Sequence, residues 1–187
     1  MLHSVKALSV MGIFIFGIKN LQAQETNQRE AEDKLHHRVS LVISHAHIPA
    51  ANEVNGSKHI FIAASIGVNY ELWFNSHWAI GLHNDITMQS FNVEKKSDDE
   101  VIAREFPVLS TIVAVYKPGK HWNFFAGPGR EFEKNESFNV IKTGIEYGIE
   151  LPKTWEIGFG LDYDIKINGY NTWLIGIGIS KNFLKKR

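Results

Sequence analysis

Two sets of side chains in this sequence have types and spacing suited to chemistry. The first is Ser44-His45-Ala46-His47, with His59 a short distance on. On an extended chain, residues two apart share a face, so His45 and His47 can present two imidazoles to one metal ion. Ser44 falls on the opposite face from His45, which argues against a serine–histidine pair there. The second set is a series of charged residues that alternate with apolar ones. Arg38, Glu71, His83, Asp85, Lys142, Glu146, Glu150, Glu156, Asp162, Asp164 and Lys166 all fall on the polar side of alternating segments. If that side is enclosed, they form a salt-bridge and hydrogen-bond network, because buried charges must be paired. If it is open, they line a narrow conduit or an acidic cation site.

The elements that carry these residues are strands. In 155–167, Trp155, Ile157, Phe159, Leu161, Tyr163, Ile165 and Ile167 alternate with Glu156, Gly158, Gly160, Asp162, Asp164 and Lys166. The same period of two runs through 38–48, 59–74, 77–91, 122–130, 138–151 and 170–183. An apolar run at 106–117 makes an eighth strand whose faces do not separate by pattern, and Phe125 interrupts the alternation of its own segment. The segments at 92–105 and 131–136 read as charged loops, and Gly127-Pro128-Gly129 as a bend or bulge at a rim.

Three features turn the apolar face outward. The polar face is rich in glycine, which suits a narrow eight-stranded interior better than a water-facing sheet. Connections alternate between tight turns at 75–76, 118–120 and 152–154 and mostly longer polar loops. Trp73, Trp78, Trp122 and Trp155 sit beside the tight turns, as an aromatic girdle at a water–lipid boundary would. The expected fold is all-β, a closed eight-stranded antiparallel up-and-down transmembrane barrel over 38–184, with both termini at the tight-turn end.

Lys6, the apolar run 7–18 and Leu21-Gln22-Ala23 read as a signal peptide over 1–23, followed by a polar periplasmic lead-in over 24–37. Twenty basic residues balance twenty acidic ones, and there is no cysteine. Nucleic-acid binding, disulfide frameworks, thiolate metal sites and cysteine nucleophiles are therefore not expected.

The stretches HWAIGLHNDI (77–86), FFAGPGREFE (124–133), IKTGIEYGIELPKTWEIG (141–158) and LDYDIKINGY (161–170) resemble the small eight-stranded outer-membrane barrels, specifically an uncharacterised Bacteroidetes-type family. The final strand resembles an outer-membrane C-terminal signal, except that Leu184-Lys185-Lys186-Arg187 follow the aromatic Phe183. The resemblance implies a monomer in the outer membrane of a Gram-negative bacterium, in contact with outer-membrane lipid and the barrel assembly machinery, and implies no chemistry. The expectation is a non-enzymatic barrel with a filled polar lumen, a structural or surface-interaction role and no cofactor. The alternatives are a lipid-modifying rim enzyme using His45 or His47, a narrow channel or cation-binding barrel, and a soluble lipocalin-like binder with the faces reversed.

Overall fold

The computed structural model describes residues 35–49, 51–52 and 60–184; the stretches expected to be a signal peptide (1–23) and most of a periplasmic lead-in (24–37), and His59, lie outside them. Eleven strands follow in chain order: β1 (His36–Ile48), β2 (Ala51–Asn52), β3 (Phe61–Trp73), β4 (Trp78–Thr87), β5 (Phe91–Glu94), β6 (Val101–Arg104), β7 (Val108–Tyr116), β8 (Trp122–Phe132), β9 (Phe138–Leu151), β10 (Trp155–Lys166) and β11 (Asn171–Leu184). Eight of them close into an antiparallel barrel in the order β1-β11-β10-β9-β8-β7-β4-β3, and β2-β5-β6 form a separate small sheet. The barrel starts two residues earlier than the alternation suggested, since His36 and His37 already pair with Trp73 and Leu72.

The seam is made by the first and last barrel strands, with Arg38 opposite Asn182 and Ile43 opposite Ile177. Thirteen residues, the length of β1 and β3, tilted in a closed barrel cover roughly 30 Å of height. Closure leaves no strand edge, so every barrel strand can satisfy its backbone without water.

The facing is settled by exposure. Ile43, Ile112 and Ile175 are 60 %, 57 % and 56 % exposed, while Arg38, Lys142 and Lys166 are 3 % or less. This is the reverse of a soluble barrel or lipocalin, and the apolar belt requires lipid around it. Trp78, Trp122 and Trp155 stand on the outside of the tight-turn end. Trp73 does not join them: its odd position in β3 turns it inward, where it packs with Ala79, Val113, Val115 and Phe125. That inward cluster explains why 106–117 resisted reading by pattern. Val113 and Val115 fill the lumen while Val108, Ile112 and Tyr116 meet lipid, so β7 is apolar on both faces. Phe125, likewise, sits inside with its ring edge against His83.

Two loops also differ from expectation. The charged stretch 92–105 contains the β5–β6 hairpin, joined at its edge by β2. Phe91, Val93, Ile48, Phe138 and Tyr170, with Phe61 and Ile102 beside them, make a small apolar core where that sheet meets the barrel. Gly127-Pro128-Gly129 lies in the interior of β8 and not at a rim. The register with β7 is the same on both sides of it, Ala114 opposite Ala126 and Thr111 opposite Gly129, so no residue is inserted. A Cβ on Gly127 would land on the carbonyl oxygen of Ile112, which is why this position is glycine.

Candidate functional site: the charged lumen

From the tight-turn end outward, the lumen holds three charged groups above the apolar cluster around Trp73. The first is centred on Arg38 of β1, which takes its partners from four other strands. Its Nη1 lies 3.3 Å from Glu71 Oε2, and its Nη2 lies 2.6 Å from Glu146 Oε1, 2.9 Å from Glu156 Oε1 and 3.0 Å from Ser180 Oγ. Glu71 also accepts from Trp73 Nε1 at 2.9 Å and meets His83 Nε2 at 3.1 Å. Asn123 Nδ2 donates to Glu146 Oε1 at 3.0 Å. The planar guanidinium supplies several donors in a fixed geometry, which suits a site shared by three carboxylates.

The second group is centred on Lys142 of β9. Its Nζ stands 3.1 Å from Asp85 Oδ2, Asp162 Oδ2 and Asp164 Oδ1. Only Asp162 receives it in hydrogen-bond geometry; Asp85 Oδ2 and Asp164 Oδ1 have no hydrogen-bond partner.

The third group closes the loop end. Lys166 Nζ lies 3.4 Å from Glu131 Oε2 and donates to Thr172 Oγ1 at 2.8 Å, and Tyr170 donates to Glu131 Oε1 at 2.8 Å. Arg104, fully buried at the end of β6, reaches Glu131 Oε1 at 2.5 Å, Glu133 Oε2 at 3.2 Å and the carbonyl of Glu136. Its guanidinium lies over the rings of Phe138 and Tyr170, 5.0 and 5.9 Å from their centroids. The β5–β6 hairpin is thereby anchored across the barrel mouth. Burial and the Glu131 carboxylate raise the Tyr170 hydroxyl well above the usual phenol range, so it stays a donor.

Ten of the eleven charged or imidazole residues singled out by alternation fall into these groups. Glu150 does not: it sits past the end of the lumen, largely exposed and 3.8 Å from Lys117. Arg104, Glu131 and Glu133 were hidden in segments read as loops. Glu131 had a signal, since it continues the inward odd series of β8; Arg104 had none.

His45 lies exposed on the outer face and Ser44 is buried in the lumen, so the two cannot act on one substrate. Among the described residues no three His, Asp or Glu side chains are grouped to hold a metal ion, which leaves His45 and His47 without a third ligand there.

No protein-family model matches the chain, and no curated protein is significantly similar to it. Solved structures are. OprG, an outer membrane protein of Pseudomonas aeruginosa, superposes with a TM-score of 0.56 at 11 % identity, over 82 % of this chain and 99 % of that one. The fold is that of an outer-membrane β-barrel. Ail, the attachment invasion locus protein of Yersinia pestis, covers 79 % of this chain and 99 % of its own at 16 % identity, with a TM-score of 0.47. Neisserial surface protein A covers 79 % and 97 % at 13 % identity, with a TM-score of 0.45. At these identities the likeness concerns backbone architecture, and the side chains must be read on their own.

Proposed function

We propose that this chain is a monomeric outer-membrane wall protein of a Gram-negative bacterium, one of the Bacteroidetes-type small barrels. In this reading it has a structural or surface-interaction role and no catalytic one. The observation that carries the reading is a lumen filled by ion-paired side chains, with its outer mouth crossed by the Arg104-anchored hairpin. A barrel of eight strands is just wide enough for side chains to fill, and here charged ones do so in ion-paired groups, each built around one base. The tight turns face the periplasm, and the β2-β5-β6 sheet is what the protein shows to the outside. Its partners are outer-membrane lipid around the belt and the barrel assembly machinery that inserts it.

Fractionation should find the protein with the outer membrane, migrating faster on a denaturing gel when unheated. In planar bilayers the folded protein should give no steady open conductance. A persistent open level would refute the filled lumen, and free solubility without detergent would refute the membrane location.

A further inference from the structure

Between the Arg38 and Lys142 groups lies a chamber of about 30 Å³, room for roughly two water-sized occupants. Its charged lining comes from both groups: Glu71 of β3 and Glu146 of β9 from one, Asp85 of β4 and Asp162 of β10 from the other, with His83 of β4 as the remaining titratable side chain. Neither Arg38 nor Lys142 lines it. Each group sets one base against three acids, so charge is short on the positive side around the chamber itself.

Neutral oxygens point the same way. Ser44 and Asn123 are 4 % and 1 % exposed, both line the chamber, and Ser44 Oγ and Asn123 Oδ1 have no hydrogen-bond partner. Asn69 Oδ1, also in the lining, has none. Asn123 commits its amide nitrogen to Glu146, and its oxygen is left without a donor. Buried acceptors left unmatched cost free energy unless a donor or cation meets them. Gly158, Gly160, Gly176 and Gly178 complete the lining; the first, third and fourth let Glu146, Ser44 and Val42 pack close, and Gly160 leaves space open.

We infer that this chamber binds a partly hydrated monovalent metal cation, sodium or potassium, held between Glu71 and Glu146 on one side and Asp85 and Asp162 on the other, with Ser44, Asn69 and Asn123 as neutral oxygen ligands. The donor set is entirely hard oxygen, apart from His83, whose Nε2 is engaged by Glu71. Calcium takes six to eight oxygens at close range and magnesium a strict octahedron. Among the described residues no three acids are placed to ligate one ion directly, as calcium would need, and a space of about 30 Å³ has no room for the several waters that magnesium keeps. A monovalent ion that keeps a water needs only the field of the four acids and a few oxygen contacts.

The test uses the full barrel folded in detergent micelles. N-methylglucamine chloride is exchanged for potassium, sodium or rubidium chloride at constant ionic strength and pH, and the temperature at which the fast-migrating band is lost is read. An upward shift that saturates with the metal cation is expected. Gly160→Val should lose that shift while keeping the folded band, because a Cβ at Gly160 meets nothing nearer than Asp162 Oδ1 at 3.7 Å and the larger side chain grows into the chamber. Crystals carrying rubidium or thallium(I) should show an anomalous peak among Ser44, Asn69 and Asn123. A response to pH but not to cation would overturn the proposal in favour of protonated carboxyls. An equal shift in Gly160→Val would place the cation at the surface, and no anomalous peak in the chamber would overturn the site whether or not that variant folds. Conductance reads only the wall role and this titration only the chamber, so either reading can fail alone.

Discussion

Replacing Arg38 with methionine should unfold this barrel far more readily than its single lost charge suggests. Arg38 faces three carboxylates, but they depend on it unequally. Glu71 keeps Trp73 Nε1 and His83, and Glu146 keeps Asn123 Nδ2. Glu156, itself 4 % exposed, has no other hydrogen-bond or ion-pair partner among the described residues. The variant therefore strands one buried carboxylate outright. Removing one partner of a buried pair costs about 3–5 kcal/mol, on the order of a hundred- to several-thousand-fold in the folding equilibrium. The cost should be partly reversible at a distance in sequence: adding Glu156→Gln to Arg38→Met should recover at least about 1 kcal/mol, because it removes the stranded charge. Arg38→Lys should fall between wild type and Arg38→Met, keeping the charge without the fork. Urea titration of the micelle-folded protein, read by band shift, measures all four proteins. An Arg38→Met loss below about 1 kcal/mol, or no recovery from Glu156→Gln, would refute the claim that the group is held by this one guanidinium.

Trp73→Phe should leave the fluorescence quenched by brominated lipids unchanged while lowering the unquenched remainder, because Trp78, Trp122 and Trp155 face the bilayer and Trp73 does not; a drop in the quenched part would place Trp73 outside. In the hairpin tip, the backbone N–H of Glu100 and then Lys95 hold Asp98 below the usual carboxylate range, and Glu100 and Asp98 raise the Lys95 ammonium. A lowered carboxylate contributes stability above its unfolded value near pH 4 that is lost as pH falls through the folded one, and a raised ammonium contributes below its unfolded value near 10.4 until pH rises through the folded one. Amide exchange at 95–100, corrected for its intrinsic pH dependence, should therefore be slowest between those limits; faster opening at pH 7 than at pH 3 would contradict this.

What could be read from the sequence followed from the pleat. Wherever one face met lipid and the other a polar lumen, as in β10, alternation reported both the strand and its facing. It failed where the lumen itself was apolar. Trp73, Val113 and Val115 form an inward plug, so β7 lost its contrast and Trp73 passed for a girdle residue by its nearness to a turn. Charge was equally ambiguous in the loops. Arg104 and Glu131 carry the same residue types as solvated loop charges, and only their partners, 27 residues apart in sequence, reveal them as an anchor. Glu150 shows the converse, since parity gives the face but not the depth, and its strand outruns the lumen. The chamber was least legible of all. It is defined by what side chains do not fill, and its walls come from seven barrel strands that no local pattern connects.

The position of Arg38 beside the seam also says when its ion pairs can exist. Its contacts to Glu146, Glu156 and Ser180 span 108, 118 and 142 residues, whereas that to Glu71 spans 33. While the chain is only partly inserted, Arg38 can hold Glu71 across the first hairpin and nothing else. The remaining contacts form when β11 meets β1, and loop closure of that length is entropically costly and slow. The charge group therefore works as a latch on the seam. It is weak in every open intermediate and engages in one step when the last-made strand zips against the first, so the open barrel can still be rearranged and the closed one resists reopening.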